Sequence, residues 1–318
     1  MRSEGEYSLR LVDRFRAQHW RMSRNQRTIA EYIMARPEEC AFLTASELGR
    51  RVGVSESTVV RFAATVGFAG YPELQRALQE ELRQRLSTVE RLEAGREGVR
   101  QLGDPLQAVW QNDVNNLNRT FQNLSKEDFD RAVAMLAEAR HIYVIGLRTS
   151  AAVAVLLTTA LRYLGKTVIR IDLGVGDYWE QLDAAGPEDV VFGISVPRYT
   201  RWATDMLRYA HRRGVPTVVL TDNPVSPLSE FADVTLPAVT DFNSFIESFV
   251  APLSLVNALI LGVALHDEQR TLEVLRGRED LWREKQLYDS PEYVDWGDAS
   301  QGNALRERRL LPLTGDQY

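Results

Sequence analysis

Five short apolar runs between residues 141 and 239 constrain this chain more than anything else in it. They are HIYVIG at 141–146, TVIRI at 167–171, VVFGIS at 190–195, TVVLT at 217–221 and VTLPAV at 234–239. Each is apolar on consecutive residues, the pattern of a strand covered on both faces. Parallel strands need a long crossover between them, commonly a helix. Helical segments fit between most of the runs, notably at 149–164 and 200–212. The expected fold is therefore α/β, a doubly wound parallel sheet with helices on both faces. The stretch SFIESFVAPLSLVNALILGVAL at 244–265 then reads as a long closing helix. It is apolar nearly all round, which places it inside the domain, with a subunit interface as one site for it.

Ahead of this domain the period is helical. Residues 44–71, TASELGRRVGVSESTVVRFAATVGFAGY, read as two short helices joined by a glycine turn. Thr44 caps the first, and Glu47 is placed to complete a capping box. Leu48, Gly49 and Val52 share a face, and Gly53 suits a left-handed turn residue. Ser55 restarts the chain as the N-cap of a second helix whose apolar face is Val59, Phe62 and Ala63. A small residue followed by a turn glycine lets two helices cross closely, as in a helix-turn-helix. The polar side of the second helix offers Glu56, Ser57, Thr58 and Arg61, which suits a recognition helix in the DNA major groove. Arg61 can read guanine or hold phosphate, and Ser55, Ser57 and Thr58 are short donors able to approach a backbone. The candidate DNA-contacting residues are thus Thr44, Ser55, Glu56, Ser57, Thr58 and Arg61. The plain alternative is a helical hairpin whose polar face meets only water.

Around this unit, residues 9–20 are weakly amphipathic, with Leu9, Val12, Phe15 and Trp20 available for packing. Ser23 opens a stronger helix with Ile29, Ile33 and Met34 on one side and Pro37 soon after its end. Pro72 fits the first turn of a further charged, helical stretch. Between Gly95 and Pro105 the apolar period fades and glycines accumulate, which marks a linker. The expected division is a helix-turn-helix domain at 1–86, a linker at 87–105, an α/β domain at 106–286 and a loosely held polar tail at 287–318. Within the α/β domain a helix spans 106–122, and Ser125 caps another that uses Phe129, Val133 and Leu136.

A chain of 318 residues has room for two domains, and 44% hydrophobic residues supply their cores. No run of about 18 apolar residues occurs, so no transmembrane helix is expected. The opening MRSEGEYSLRLVDRF lacks the apolar segment of a secretory signal. Cys40 is the single cysteine, which excludes intramolecular disulfides and cysteine zinc clusters. These features fit a cytoplasmic protein without membrane contacts. The net charge of −6 argues against nucleic acid, but its distribution argues the other way. Residues 1–86 hold 14 Arg, no Lys and 11 acids, a balance of +3 that leaves −9 for the remainder. A mildly basic module on an acidic body fits a DNA-binding protein whose body stays off the DNA.

In open α/β sheets, ligands bind beyond the carboxyl ends of the strands, where strand order reverses. Two loops qualify, Gly146 to Ser150 and Ser195 to Thr200, each leaving a strand and opening a helix. Free N–H groups at helix starts favour an anion, and Arg148 and Arg198 add fixed positive charge suited to phosphate or carboxylate. The candidate effector-binding residues are Gly146, Arg148, Thr149, Ser150, Ser195, Arg198, Tyr199 and Thr200. Alternatively, Thr149, Ser150 and Thr200 only cap helices while both arginines are solvated. The loop TDNPVSPLSE at 221–230 lies on the same edge. No catalytic or metal-binding set emerges. The four histidines are scattered, and His141, at a strand start, reads as structural. Glu180 and Glu247 read as helix-surface charges.

Taken together, these motifs identify the chain as similar to the RpiR family of bacterial transcription regulators over about residues 20 to 265. The resemblance is carried by LTASELGRRVGVSESTVVRFAATVGFAGYPEL, with its VSxSTVxRF helix and GFxGYxEL sequel. It continues through IYVIGLRTS, DVVFGISVPRYT, AHRRGVPTVVLTD and SPLSEFADVTL. It implies a helix-turn-helix joined to a sugar isomerase (SIS) domain, a homodimer or homotetramer on a palindromic double-stranded operator, and a small anionic effector, often a phosphorylated sugar. It implies no cofactor and no catalysis. Family members that bind sugar phosphates carry G-x-G-x-S in the first loop and S-x-S-G-x-T in the second. Here Arg148 replaces the second glycine, and Pro197, Arg198 and Tyr199 stand before Thr200. A differently shaped anion, or a pocket partly filled by its own arginines, would follow. Two other readings remain: a SIS-type sugar-phosphate isomerase with an accessory helical domain, and a helical domain that binds protein.

Overall fold

The computed structural model describes Phe15 and residues 18–85, 87–174, 176–242 and 244–288. Leu9, Val12 and the tail beyond Tyr288 lie outside the described residues. One compact unit runs to Thr271, and a second begins at Leu272.

The first elements are α1 (Arg24–Ala35), α2 (Pro37–Cys40), α3 (Ala45–Val52), α4 (Glu56–Thr65) and α5 (Tyr71–Arg85). Ser23 and Gln26 form a reciprocal capping box that starts α1. Ile29, Ile33, Leu48, Val59, Phe62 and Leu74 bring these helices onto one core. Phe15 joins it, its ring edge-on to Phe62 at 5.3 Å. Tyr71, the last residue of GFAGY, is buried and donates to the Leu43 carbonyl at 2.7 Å, fastening α5 to the segment before α3. Two expectations fail here. Trp20 is 71% exposed and Met34 is 41% exposed, so neither packs into this core.

The segment read as a linker is largely α6 (Thr88–Leu102). Ser87 and Glu90 close a capping box at its start, and Gly103 ends it in the left-handed region at φ 75°. Caps at both ends outweighed the internal glycines, each of which costs a helix about 1 kcal/mol. Next come α7 (Pro105–Asn123), capped by Asp104, and α8 (Lys126–Glu138), capped by Ser125.

The α/β domain contains β1 (Ile142–Gly146), α9 (Ala151–Tyr163), β2 (Val168–Ile171), α10 (Tyr178–Asp183), β3 (Val190–Ile194), α11 (Arg201–Arg212), β4 (Thr217–Thr221) and β5 (Val234–Pro237). The strands are all parallel, in the order β2-β1-β3-β4-β5. β1, β3 and β4 are buried throughout, whereas β2 and β5 at the edges are partly open. Alternate strand residues feed two cores, as a sheet with two covered faces requires. Ile142, Val144, Phe192 and Leu220 meet α8, α9 and α12 (Val250–His266) on one side. Tyr143, Ile145, Val191 and Val219 meet α10 and α11 on the other.

The closing helix starts at Val250, not at 244. Polar side chains before it are engaged elsewhere: the Ser248 hydroxyl donates to Asp113 at 2.6 Å, and Glu247 pairs with Arg91. Nor is α12 covered all round, since Leu261 and Leu265 are each 59% exposed. It leads into α13 (Glu268–Glu284). Among the described residues, no single helix is long and apolar enough to cross a membrane.

Candidate functional site

The helix-turn-helix is built by two glycines. Gly53 closes α3 at φ 76°, and Val54 N–H donates back to the Gly49 carbonyl at 2.8 Å. A side chain at Gly49 would meet that returning backbone, its Cβ only 2.8 Å from the Val54 carbonyl oxygen. Val59, Phe62 and Ala63 of α4 are then fully buried, which turns Ser55, Glu56, Ser57 and Arg61 to the surface and leaves Thr58 half-buried. Glu56, Ser57, Val60 and Arg61 line an open concavity on this side.

Of the two expected N-caps, Thr44 forms its box as expected and Ser55 does not cap. Ser55 occupies the N-cap position of α4, but its hydroxyl makes no capping bond. It lies 3.0 Å from Ser57 Oγ and 2.8 Å from Thr58 Oγ1, so three hydroxyls cluster at the helix start. Thr44 is exposed yet committed to its capping box. Its N–H and hydroxyl both donate to Glu47, at 2.8 and 2.7 Å, and hold that carboxyl below its ordinary range. Arg61 lies along its own helix, with Nε donating to the Ser57 carbonyl at 3.2 Å.

The second site lies at the sheet's carboxyl edge. Gly146 ends β1 opposite Ile194, the last residue of β3, so the two candidate loops leave adjacent strands side by side. Strand order reverses between these two strands. Gly146 itself answers to packing, because a Cβ there would come within 2.6 Å of Ala154 Cβ on α9. Arg148 and Arg198 both adopt the left-handed region, at φ 54° and 61°. For a residue with a side chain this costs about 1–2 kcal/mol, and such strain gathers at ligand sites. Both arginines are exposed. Arg198 is anchored: its guanidinium donates to Thr88 Oγ1 at 2.7 Å.

The hydroxyls beside them are not spent as caps. Ser150 and Thr200 stand at the N-cap positions of α9 and α11, and neither side chain makes a capping bond. Ser150 and Ser195 are buried, and Ser195 Oγ accepts from Thr200 N–H at 3.4 Å. Thr149 is exposed, while Tyr199 and Thr200 are half-buried. Tyr199 donates to Asp222 at 2.5 Å, and Asn223 and Thr221 donate to the same carboxyl at 2.6 and 3.2 Å. Burial pushes Asp222 above the ordinary carboxylate range, against the pull of these donors. The loop after β4 therefore reaches the same edge, and Asp222 and Asn223 were not among the expected site residues. Trp202, in the first turn of α11, is 43% exposed and packs edge-on to Tyr178 of α10 at 5.3 Å.

Sequence reasoning missed one buried pair altogether. Arg91 of α6 is 1% exposed and forms an ion pair with Glu247, which is 9% exposed. The Arg91 guanidinium also lies 4.9 Å from the Phe242 ring. Glu247 is thus no helix-surface charge, and with the partners 156 positions apart no local pattern could reveal it. His141 behaves as expected, its ring 2.9 Å from Asp189. Arg140 donates to the same Asp189 through two nitrogens and holds the carboxyl down at about 2.

Comparison with known proteins places both regions. Residues 10–85 match the family described as helix-turn-helix domain, rpiR family, and residues 135–262 match the SIS domain. The HTH-type transcriptional regulator HexR of Pseudomonas aeruginosa is 26% identical over 264 residues, covering 80% of this chain and 89% of its own. HexR of Escherichia coli is 23% identical, covering 88% and 96%. The sugar isomerase domain of an RpiR transcription factor from Sphaerobacter thermophilus is 37% identical with a TM-score of 0.53, covering 55% of this chain and 98% of that one. Vibrio vulnificus NanR, solved complexed with ManNAc-6P, shares the fold at 23% identity and a TM-score of 0.56, covering 88% and 100%.

Proposed function

Since the chain belongs to the RpiR family of helix-turn-helix transcriptional regulators with a SIS domain, we propose that it is a repressor or activator whose DNA affinity answers to a small anionic metabolite. Helix α4 enters the major groove with Ser55, Glu56, Ser57, Thr58 and Arg61. Thr44 assists by holding α3 in register. The effector occupies the crevice at Gly146–Ser150 and Ser195–Thr200. Its class is a phosphorylated sugar or a related carboxylate, and the ManNAc-6P held by NanR supports that choice. The observation that carries the sensing half is the pair of left-handed arginines on adjacent loops at the strand-order reversal. They put two cations where the backbone of a glycine loop would otherwise face the ligand.

Two copies acting together would span two half-sites about 34 Å apart on a palindromic duplex. Exposed Leu261 and Leu265 on α12, with Leu106 and Trp110 on α7, offer apolar surface for pairing. A change of affinity requires the effector to bind two conformations unequally. The test is fluorescence anisotropy with labelled duplex from upstream of the chain's own coding sequence, titrated with and without sugar phosphates. Binding should weaken steeply with salt, because phosphate contacts release counterions. A flat salt response and no effect of any sugar phosphate would overturn the proposal. Among the described residues, Asp222, a carboxyl held at the crevice edge by Tyr199 and Asn223, is the group that favours an isomerase instead. Turnover of a sugar phosphate by the purified protein would decide for that reading.

A further inference from the structure

We propose that Arg198 serves two partners in turn: Thr88 in the effector-free chain and the anion in the bound one. The inference rests on the sensing role given to the crevice and adds how that site reaches the DNA-binding helices. Arg198 projects from the loop after β3, at a left-handed backbone position, and its guanidinium reaches Thr88 Oγ1 across 110 residues of sequence. Thr88 is the first residue of α6, the helix that follows the last helix of the DNA-binding module. One turn further, Arg91 is sealed against Glu247 and Phe242 in the segment between β5 and α12.

Helix α6 is therefore held to the SIS domain at two points of unequal character. The Arg91–Glu247 pair is buried and cannot exchange partners with solvent. The Arg198–Thr88 bond is exposed, single, and made to a neutral acceptor. A phosphate or carboxylate arriving between the two loops offers the guanidinium a charged, bidentate partner, roughly twice as strong as a neutral one. Arg198 then turns to the anion and the start of α6 is released, with the buried pair left as a fulcrum. The two states differ in one defined contact, which supplies the unequal affinity that any ligand-driven switch requires. Arg148 has no such partner among the described contacts and serves as the anion's resident receptor.

The test uses the full chain, inorganic phosphate as the probe at constant ionic strength, and Thr88→Val with Thr88→Ser as its control. Removing the hydroxyl leaves the crevice untouched and abolishes the competition. Thr88→Val should bind phosphate about five-fold more tightly than the parent chain, the worth of one hydrogen bond of ordinary strength. Thr88→Ser should behave as the parent. Amide exchange at residues 88–95 should rise in Thr88→Val without ligand and in the parent chain on adding phosphate. Phosphate affinity equal in Thr88→Val and parent, or exchange at 88–95 indifferent to phosphate, overturns the latch while leaving the sensing role intact. No binding of phosphate or sugar phosphate by any of the three removes the sensing role and the latch with it.

Discussion

Replacing Arg148 with glycine should make the protein more stable and less responsive at once. The left-handed backbone at φ 54° costs an arginine about 1–2 kcal/mol and costs glycine nothing. Glycine loses more freedom on folding, about 0.5–1 kcal/mol. The Arg148 side chain is exposed and makes no hydrogen bond or ion pair among the described contacts, so no packing is forfeited. The expected net gain for Arg148→Gly is about 0.5–1 kcal/mol, or roughly 2–3 °C in the melting of a domain this size. Arg148→Ala supplies the control, since it removes the guanidinium but keeps a Cβ in the strained region. It should melt near or slightly below the parent. Both variants should lose effector affinity together, by the 1.5–3 kcal/mol typical of a hydrogen bond to a charged group, roughly ten- to a hundred-fold. Calorimetric melting and titration with sugar phosphates read the two effects separately. A glycine variant no more stable than the alanine variant would refute the strain argument. Unchanged affinity in both would remove Arg148 from the site.

Arg61→Ala should weaken operator binding by about 1–3 kcal/mol if the side chain reads a base, in a gel-shift titration against Arg61→Lys; unchanged affinity sinks that assignment. Arg91→Met or Glu247→Gln alone should destabilise by about 3–5 kcal/mol, because each leaves a buried group unpaired. The double variant Arg91→Met with Glu247→Leu should recover most of that loss in urea denaturation, and additive losses would show the pair to be uncoupled. Asp189 carries a folded pKa of about 2, held down by Arg140, against an ordinary value of 3.8. A depressed carboxylate contributes stability above the unfolded value and loses it as pH falls through the folded one. Acid titration between about pH 4 and 2 should therefore destabilise the parent more steeply than Asp189→Asn; equal slopes would count against the pairing.

The two sites differ in how legible they were. The DNA-binding face could be read closely because its signals are local: the Thr44 box, the Gly53 turn and the burial of Val59, Phe62 and Ala63 all lie between residues 44 and 63. The crevice could be placed only to the level of its loops, Gly146–Ser150 and Ser195–Thr200 with 221–230 on the same edge. Within the 221–230 loop, Asp222 and Asn223 gain their place through the hydrogen bond that Tyr199 donates to Asp222 from the neighbouring loop, which no local pattern reveals. Trp20 and Met34 misled the reading because apolar character says that a residue can be buried, not that a partner surface exists for it.

What the chain settled alone was governed by period, caps and turn residues: a parallel sheet wound on both sides, a glycine-hinged helix pair, and helix-opening loops beyond the strands; the capped helix Thr88–Leu102 was written there too, in Ser87, Glu90 and Gly103, and its internal glycines hid it. Tertiary structure decided which distant groups meet. It sank Arg91 and Glu247 into each other and bent Arg198 onto Thr88. The reason is physical. Local preferences are energies between neighbours in sequence, whereas a buried charge or an anchored arginine depends on a partner that chain folding alone brings within reach.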